Sequence, residues 1–383
     1  MKNLKNITIV FMVPLLLGVT GCGSSKKKSD VFSNGEVGDG RLEKVVEHYK
    51  DKYNLPAMAV LTVDNNQIIE QASVGIKKVG ENEQVADNDT WSIGSITKSM
   101  TATLTAVLID KNFLTWETTL LDVFPELEDQ MHEQYKSTTM VELLSHTAGF
   151  AQDDDEVWED YVDSDDSLPE QRYSLTQDAL IYPVENISGT FLYSNVNYVV
   201  ATSMLEKITG ISYEELIQEY LFNPLNMPNS NVTAYNQDTN IWGHKFIGGK
   251  YKPFHPTVET TDNAKIVAPA GSRTFVTLDD MSEYLKTHLN AMQENTSFIQ
   301  IENSQKLYTK VVDADEDLGY SLGWFTEGTY GVQHSGSNDR WFAISFINAQ
   351  TGYAYFVVIN SYKLYDSEEA AFSMIKALIE RSV

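Results

Sequence analysis

Gly94-Ser95-Ile96-Thr97-Lys98-Ser99-Met100-Thr101-Ala102-Thr103-Leu104-Thr105-Ala106-Val107-Leu108 decides more of the fold than any other stretch of the chain. From Ser95 to Lys111 the sequence is almost free of turn formers, and its apolar residues Ile96, Met100, Leu104, Val107 and Leu108 are separated mainly by small Thr and Ala. That spacing predicts a helix, and a helix with so little polar surface is largely buried. The chain has 383 residues, 42% of them hydrophobic and 11% aromatic, which is ample for a core around such a helix.

Working outward, Asp39 is placed to cap a helix carrying Leu42, Val45, Val46 and Tyr49 at i, i+3, i+4 and i+7. Residues 57–63 and 67–74 are strand-like runs on either side of Asp64-Asn65-Asn66, turn formers that predict an antiparallel hairpin. On the C-terminal side, residues 138–149 and 196–209 read as helices ended by Gly149 and Gly210. Strand patterns return at 341–347 and 353–359 around a loop ending in Gly352, and an amphipathic helix from Ser367 to Ile379 follows. Strands at both ends around a helical middle predict an α+β domain over residues 39–383, its antiparallel sheet gathering both termini and a helical lobe over about 95–255.

Within the buried helix, Ser95 and Lys98 are three apart and share one face. A serine hydroxyl is a poor nucleophile until its proton is removed, and a desolvated lysine is suited to assist. The same S-x-x-K spacing recurs at Ser24, Ser25 and Ser373. What distinguishes Ser95 is its setting: Gly94 permits close backbone approach, and a helix N-terminus offers free amides to a developing oxyanion. Tyr193-Ser194-Asn195 is the one Y-x-N among twenty tyrosines, pairing a phenol for proton transfer with an amide for gripping a substrate. His334-Ser335-Gly336 stands just before a strand-like run, where a glycine lets a ligand approach a sheet edge.

Taken together and in this order, Ser95-Ile96-Thr97-Lys98, Tyr193-Ser194-Asn195 and His334-Ser335-Gly336 resemble the serine β-lactamase and penicillin-recognising hydrolase superfamily, in its class C-like D-alanyl-D-alanine carboxypeptidase and esterase branch. Leu143 to Phe150, Phe222 to Met227 and Pro269 to Gly271 look like the same family's text, and the resemblance covers about residues 40–380. It implies the serine β-lactamase/DD-peptidase fold and an acyl-enzyme on Ser95, with Lys98 and Tyr193 sharing general-base and general-acid work. It also implies that Asn195 binds the substrate's acyl amide, and that the amides of Ser95 and Ser337 form the oxyanion hole. Such donors are worth roughly 2.7 to 4 kcal/mol each. His334 stands where class C β-lactamases carry lysine, as in carboxypeptidase and aminopeptidase-like members, so β-lactamase activity ranks second. Asn226 replaces a commoner glycine, and Gly189-Thr190 lacks the usual preceding proline. Arg340 and Arg273, two of five arginines, are candidates for forked binding of a substrate carboxylate. His146 reads as a buried, hydrogen-bonded structural residue rather than a base.

The expected function is therefore a serine acyl-hydrolase acting on peptidoglycan-type or D-amino-acid peptides or small esters. The alternative outside enzymes is a surface-tethered binding protein that keeps the fold without turnover. No H-E-x-x-H, G-x-S-x-G or Walker loop occurs, so no metal or cofactor is expected. Net charge of −26 repels polyanions and excludes nucleic acid as a partner. Residues 153–166 hold nine Asp or Glu in fourteen positions without a glycine and predict a solvated acidic loop.

At the N-terminus, Lys2 and Lys5 precede an apolar run over residues 7–19 and then Val19-Thr20-Gly21-Cys22, which resembles a bacterial lipoprotein signal. That implies removal of residues 1–21, a lipid on Cys22 and a position outside the cytoplasm, on the membrane by the lipid alone; residues 22–38 are expected to be a flexible tether, and the protein a monomer. Cys22 is the one cysteine, which leaves no thiol nucleophile or disulfide to the folded part.

Overall fold

In a computed structural model of the chain, residues 32–151, 156–162, 164–182, 188–233, 241–256, 260, 263–328 and 331–382 are described. Cys22, the expected leader and residues 22–31 of the expected tether lie outside them.

The first hairpin shows how the sequence builds the sheet. In the strand Ala57–Val63 every residue is buried, yet successive side chains enter different cores: Ala57, Ala59, Leu61 and Val63 join the larger cluster, Met58 and Val60 the smaller. This is the two-residue alternation of a strand covered on both faces. It pairs antiparallel with Ile68–Gly75 on one side and with Tyr353–Ile359 on the other, in a register from Met58 opposite Ile359 to Val63 opposite Ala354. The two termini thus meet in one sheet, as predicted. Among the described residues that sheet has eight strands, running from Ile68–Gly75 through Ala57–Val63, Tyr353–Ile359, Phe342–Asn348, Val332–Ser337, Phe325–Thr326 and Gly319–Tyr320 to Val312–Asp313.

Helices Leu42–Lys52 and Asp366–Ser382 cover one face, packing Val45, Val46, Met374 and Ile375 onto Val60 and Val357. The helix Thr97–Asp110 lies within the larger core with the residues from Thr97 to Leu108 all buried. Thr97, Thr103 and Thr105 donate their hydroxyls to carbonyls one turn back, Thr105 to Thr101 O at 2.9 Å, which is what lets a Thr-rich helix be buried.

Several expectations are corrected. Asp39 does not cap the first helix: Arg41 occupies that position without a side-chain bond, while Asp39 pairs with Arg381 at 3.0 Å. The helix expected over 138–149 is only Met140–Leu144, because His146 takes a left-handed backbone (φ 59°) that ends helical bonding three residues before Gly149. The acidic stretch is not all loop, since Glu156–Val162 is a helix that buries Trp158; the loop expected at 153–155 and 163 lies outside the described residues. A hairpin, Gly243–Ile247 with Lys250–Phe254, interrupts the stretch expected to be helical. The helix Asn195–Thr209 ends at Gly210 with φ 71°, as the sequence predicts.

Candidate active site

Ser95 sits on a tight 3-10 turn, Gly94–Ile96, immediately before the helix that carries Lys98, rather than in the first turn of a continuous helix. Three glycines explain how the backbone reaches this shape. Gly94 has φ 53°, and a Cβ there would stand 2.6 Å from Ser337 N. A Cβ on Gly336 would stand 2.1 Å from Ile93 O and 2.5 Å from Ser95 N, and one on Gly271 2.1 Å from Gly94 O. All lie below any ordinary contact, so the Ser95 turn is wedged between two segments that touch it through backbone alone.

The Val332–Ser337 strand supplies one of those segments. Phe342–Asn348 pairs along its whole length, but Phe325–Thr326 pairs with it only at Val332 and Gln333 among the described residues. From His334 onward that edge faces the Ser95 turn instead of another strand. The amides of Ser95 and Ser337 thereby lie on either side of the Gly94–Gly336 contact, an arrangement suited to binding an oxyanion. His334-Ser335-Gly336 is therefore inside a strand, not before one. Alternation turns His334 and Gly336 toward Ser95, while Ser335, opposite Ile344 of the smaller core, projects from the other face and offers its carbonyl.

Lys98 is fully buried, and its Nζ donates to Ser95 Oγ at 2.9 Å, Asn195 Oδ1 at 2.7 Å and Ala270 O at 2.7 Å. The same nitrogen lies 4.7 Å from the centre of the Tyr193 ring and 5.6 Å from that of Tyr198. The structure thus brings Ser95, Lys98, Tyr193 and Asn195 to one point from stretches about a hundred residues apart. Ser194 and Asn195 form the junction between extended chain and helix, with Ser194 capping through its hydroxyl to Val196 N at 3.2 Å.

His146 braces that junction from behind. Its Nδ1 accepts from Ser194 N at 3.3 Å, its carbonyl accepts from Leu192 N at 2.9 Å, and its ring lies 4.3 Å from the Tyr193 ring. Burial, the nearby Lys98 charge and His334 hold its pKa well below the ordinary value, so it is neutral. His334 is neutral too: burial first, then Lys98, push it down to about 3. It accepts at Nε2 from Tyr320 OH at 3.3 Å, and its Nδ1 lies 2.6 Å from Ser335 O. The third motif therefore adds no positive charge. Arg340 is nearly buried, donating to Thr260 Oγ1 at 3.0 Å and lying 5.0 Å over the Phe254 ring. Arg273 is likewise buried. Cys22 is outside the described residues.

Sequence reasoning gave Ala270 no role, although its carbonyl is one of the acceptors that fix Lys98. The signal was the Pro269-Ala270-Gly271 tripeptide, in which Gly271 (φ 115°) ends the 3-10 turn Lys265–Ala270 so that the Ala270 carbonyl faces inward. Tyr198 and Tyr320, which wall the site with their rings, had no spacing to reveal them. No group of acidic, His or Cys side chains suited to a metal occurs among the described residues.

A sheet edge, a serine on a glycine-bounded turn and a buried lysine one turn on form an arrangement suited to acyl transfer. The chain belongs to the β-lactamase family, whose model matches residues 42–377. It is 23% identical over 325 residues to Protein flp of Staphylococcus aureus (strain N315), which covers 84% of this chain; the chain spans 62% of that relative's length. It is also 23% identical over 372 residues to the unguisins hydrolase ungD' of Aspergillus campestris, covering 93% of this chain and 67% of that protein. Among solved structures, the octameric penicillin-binding protein homologue from Pyrococcus abyssi matches with a TM-score of 0.73 at 21% identity, over 89% of this chain and 77% of that one. The penicillin-binding protein from Bacillus halodurans matches with a TM-score of 0.70 at 20% identity, over 87% and 98%. Both show the fold.

Proposed function

We propose that the protein is a serine acyl-hydrolase that forms an acyl-enzyme on Ser95 and transfers the acyl group to water, with a peptidoglycan-type D-alanyl peptide, a related D-amino-acid peptide or a small ester as substrate. The observation that carries it is the 2.9 Å contact between Lys98 Nζ and Ser95 Oγ inside a closed, buried shell. Ser95 Oγ attacks the substrate carbonyl as its proton passes into the Lys98 and Tyr193 pair. The new C–O bond forms, the oxyanion takes the Ser95 and Ser337 amides, and the bond to the leaving amine or alkoxide breaks as that group receives the proton. Water then repeats the sequence and frees Ser95.

Where Lys98 is an ammonium it has no lone pair to take the serine proton. In that state Tyr193 is the group left to accept it, with the Lys98 charge favouring phenolate; alternatively Lys98 first yields a proton to Tyr193 and then acts itself. The neutral His334 offers no cation to a substrate carboxylate, whether that of a β-lactam or that of a D-alanyl terminus, which favours the small ester among these substrates. The test is side-by-side hydrolysis of a D-Ala-D-Ala peptide, nitrocefin and a short-chain nitrophenyl ester, with covalent labelling by a fluorescent penicillin. Turnover and labelling lost in Ser95→Ala support the reading. Lys98→Ala and Tyr193→Phe are each expected to slow acylation at least about a hundredfold, and undiminished turnover in either removes that residue from its role.

A further inference from the structure

Lys98 takes its position from acceptors on two separate pieces of chain. Asn195 opens the helix Asn195–Thr209, and Ala270 closes the turn Lys265–Ala270. One side chain elsewhere binds both pieces. Arg172, in the helix Leu168–Ile181, is fully buried and donates through Nε to Ile266 O at 3.3 Å, within that same turn. Its Nη1 pairs with Glu206, on the Asn195 helix, and its Nη2 with Glu214, in the helix Tyr213–Ile217. Glu206 Oε1 also accepts from Tyr213 N at 2.9 Å. The guanidinium lies 5.6 Å from the Tyr213 ring centre, and the Tyr213 hydroxyl meets Thr101 Oγ1 at 2.9 Å. Thr101 in turn donates to Pro269 O at 2.7 Å, so the circuit closes on the residue before Ala270.

We propose that Arg172 is a positioning residue for Lys98, holding the Asn195 helix and the Ala270 turn at the spacing that keeps the Lys98 ammonium against Ser95 Oγ. The inference rests on Ser95 and Lys98 being the acylating pair. The physical reason is geometric. A guanidinium presents donors in a rigid planar fork, so it fixes a carbonyl and two carboxylates relative to one another, which a lysine's point charge cannot do. A helix is stiff along its axis, so holding Glu206 holds Asn195, three turns away on the same rod. A misplacement of about 1 Å in a reacting group is enough to slow a reaction about a hundredfold.

The experiment uses the full chain and two variants. Arg172→Lys keeps the charge and loses the fork; Arg172→Met combined with Glu206→Gln removes the cation without leaving the Glu206 carboxylate unpaired. Thermal unfolding checks that each is folded. Single-turnover acylation and KM are then measured on the ester, and a crystal structure of each variant is determined. The expected result is a cooperative unfolding transition, acylation slowed about ten- to a hundredfold with KM nearly unchanged, and a lost Lys98 contact to Ala270 O or Asn195 Oδ1. A purely stabilising arginine would lower the melting temperature and leave acylation of the folded protein as it was; that result overturns the proposal. So does a variant structure in which Lys98 keeps both acceptors, and this readout needs no activity. Failure of the wild type itself to acylate any probe overturns the serine-hydrolase reading instead, and the crystal structures still decide the geometry.

Discussion

Lowering the pH from 7.5 to 5.0 should destabilise the fold through its buried histidines, and His288 isolates the effect. It is fully buried, its Nε2 3.2 Å from Thr103 Oγ1 and its Nδ1 2.7 Å from Tyr308 OH, and burial pushes its pKa down to about 3. In the unfolded chain the value is about 6.5. Because the folded value is the lower one, the unfolded chain binds a proton that the folded one refuses. Stability from this source is complete above pH 6.5 and drains away as the pH falls toward 3. At pH 5.0 the loss is RT ln(1 + 10^1.5), or about 2 kcal/mol. His334, at about 3, and His244, at about 4, act in the same direction. Glu327, raised to about 7 by burial, acts in the opposite one, since its folded form gains a proton first. The bulk pH dependence therefore mixes signs, and a difference between proteins removes the mixture. Urea unfolding followed by tryptophan fluorescence should show wild type losing about 2 kcal/mol more than His288→Gln between the two pH values. Equal losses would refute the assignment of His288 as a neutral buried group.

Gly336→Ala places a methyl against Ile93 O and Ser95 N, so the strand has to withdraw from the nucleophile turn. Acylation should fall about a hundredfold or more, as when one oxyanion donor is lost, and a single-turnover rate close to wild type would separate Ser337 N from the oxyanion site. His146→Asn tolerates the left-handed backbone but removes the ring behind Tyr193. Its acylation rate should drop about tenfold, the lower range for loss of a supporting partner, with a smaller loss in Ser95→Ala-normalised binding of substrate; an unchanged rate would leave His146 with a folding role alone. The neutral state of His334 predicts that His334→Gln keeps the wild-type pH profile of kcat/KM between pH 5 and 9, and loss of a limb near pH 6 to 7 would contradict it.

The sheet and the buried helix were legible because each depends on local period. Short apolar runs over 57–63 and 353–359 marked the strands that bring the termini together, and a longer run of small and apolar residues marked the helix that must be enclosed. What depended on a single backbone angle was not legible: nothing in Leu143-Leu144-Ser145-His146 announces that His146 adopts φ 59° and stops the helix at Leu144. The site divides along the same line. Ser95, Lys98, Tyr193 and Asn195 carry their chemistry in their side chains, so short motifs find them. Ala270 contributes a carbonyl, which every residue possesses, and only the conformation set by Gly271 gives that carbonyl a function. Arg172 was invisible for a third reason: its role lies in three partners, Ile266, Glu206 and Glu214, that are 34 to 94 residues away and share no pattern with it. Groups that react are thus written in the sequence more plainly than groups that hold them. A lysine surrounded by a carbonyl, an amide oxygen and a hydroxyl keeps its place only while the chains bearing those acceptors keep theirs, so on the proposed reading the holding groups contribute to acyl transfer through the position they give the reacting ones.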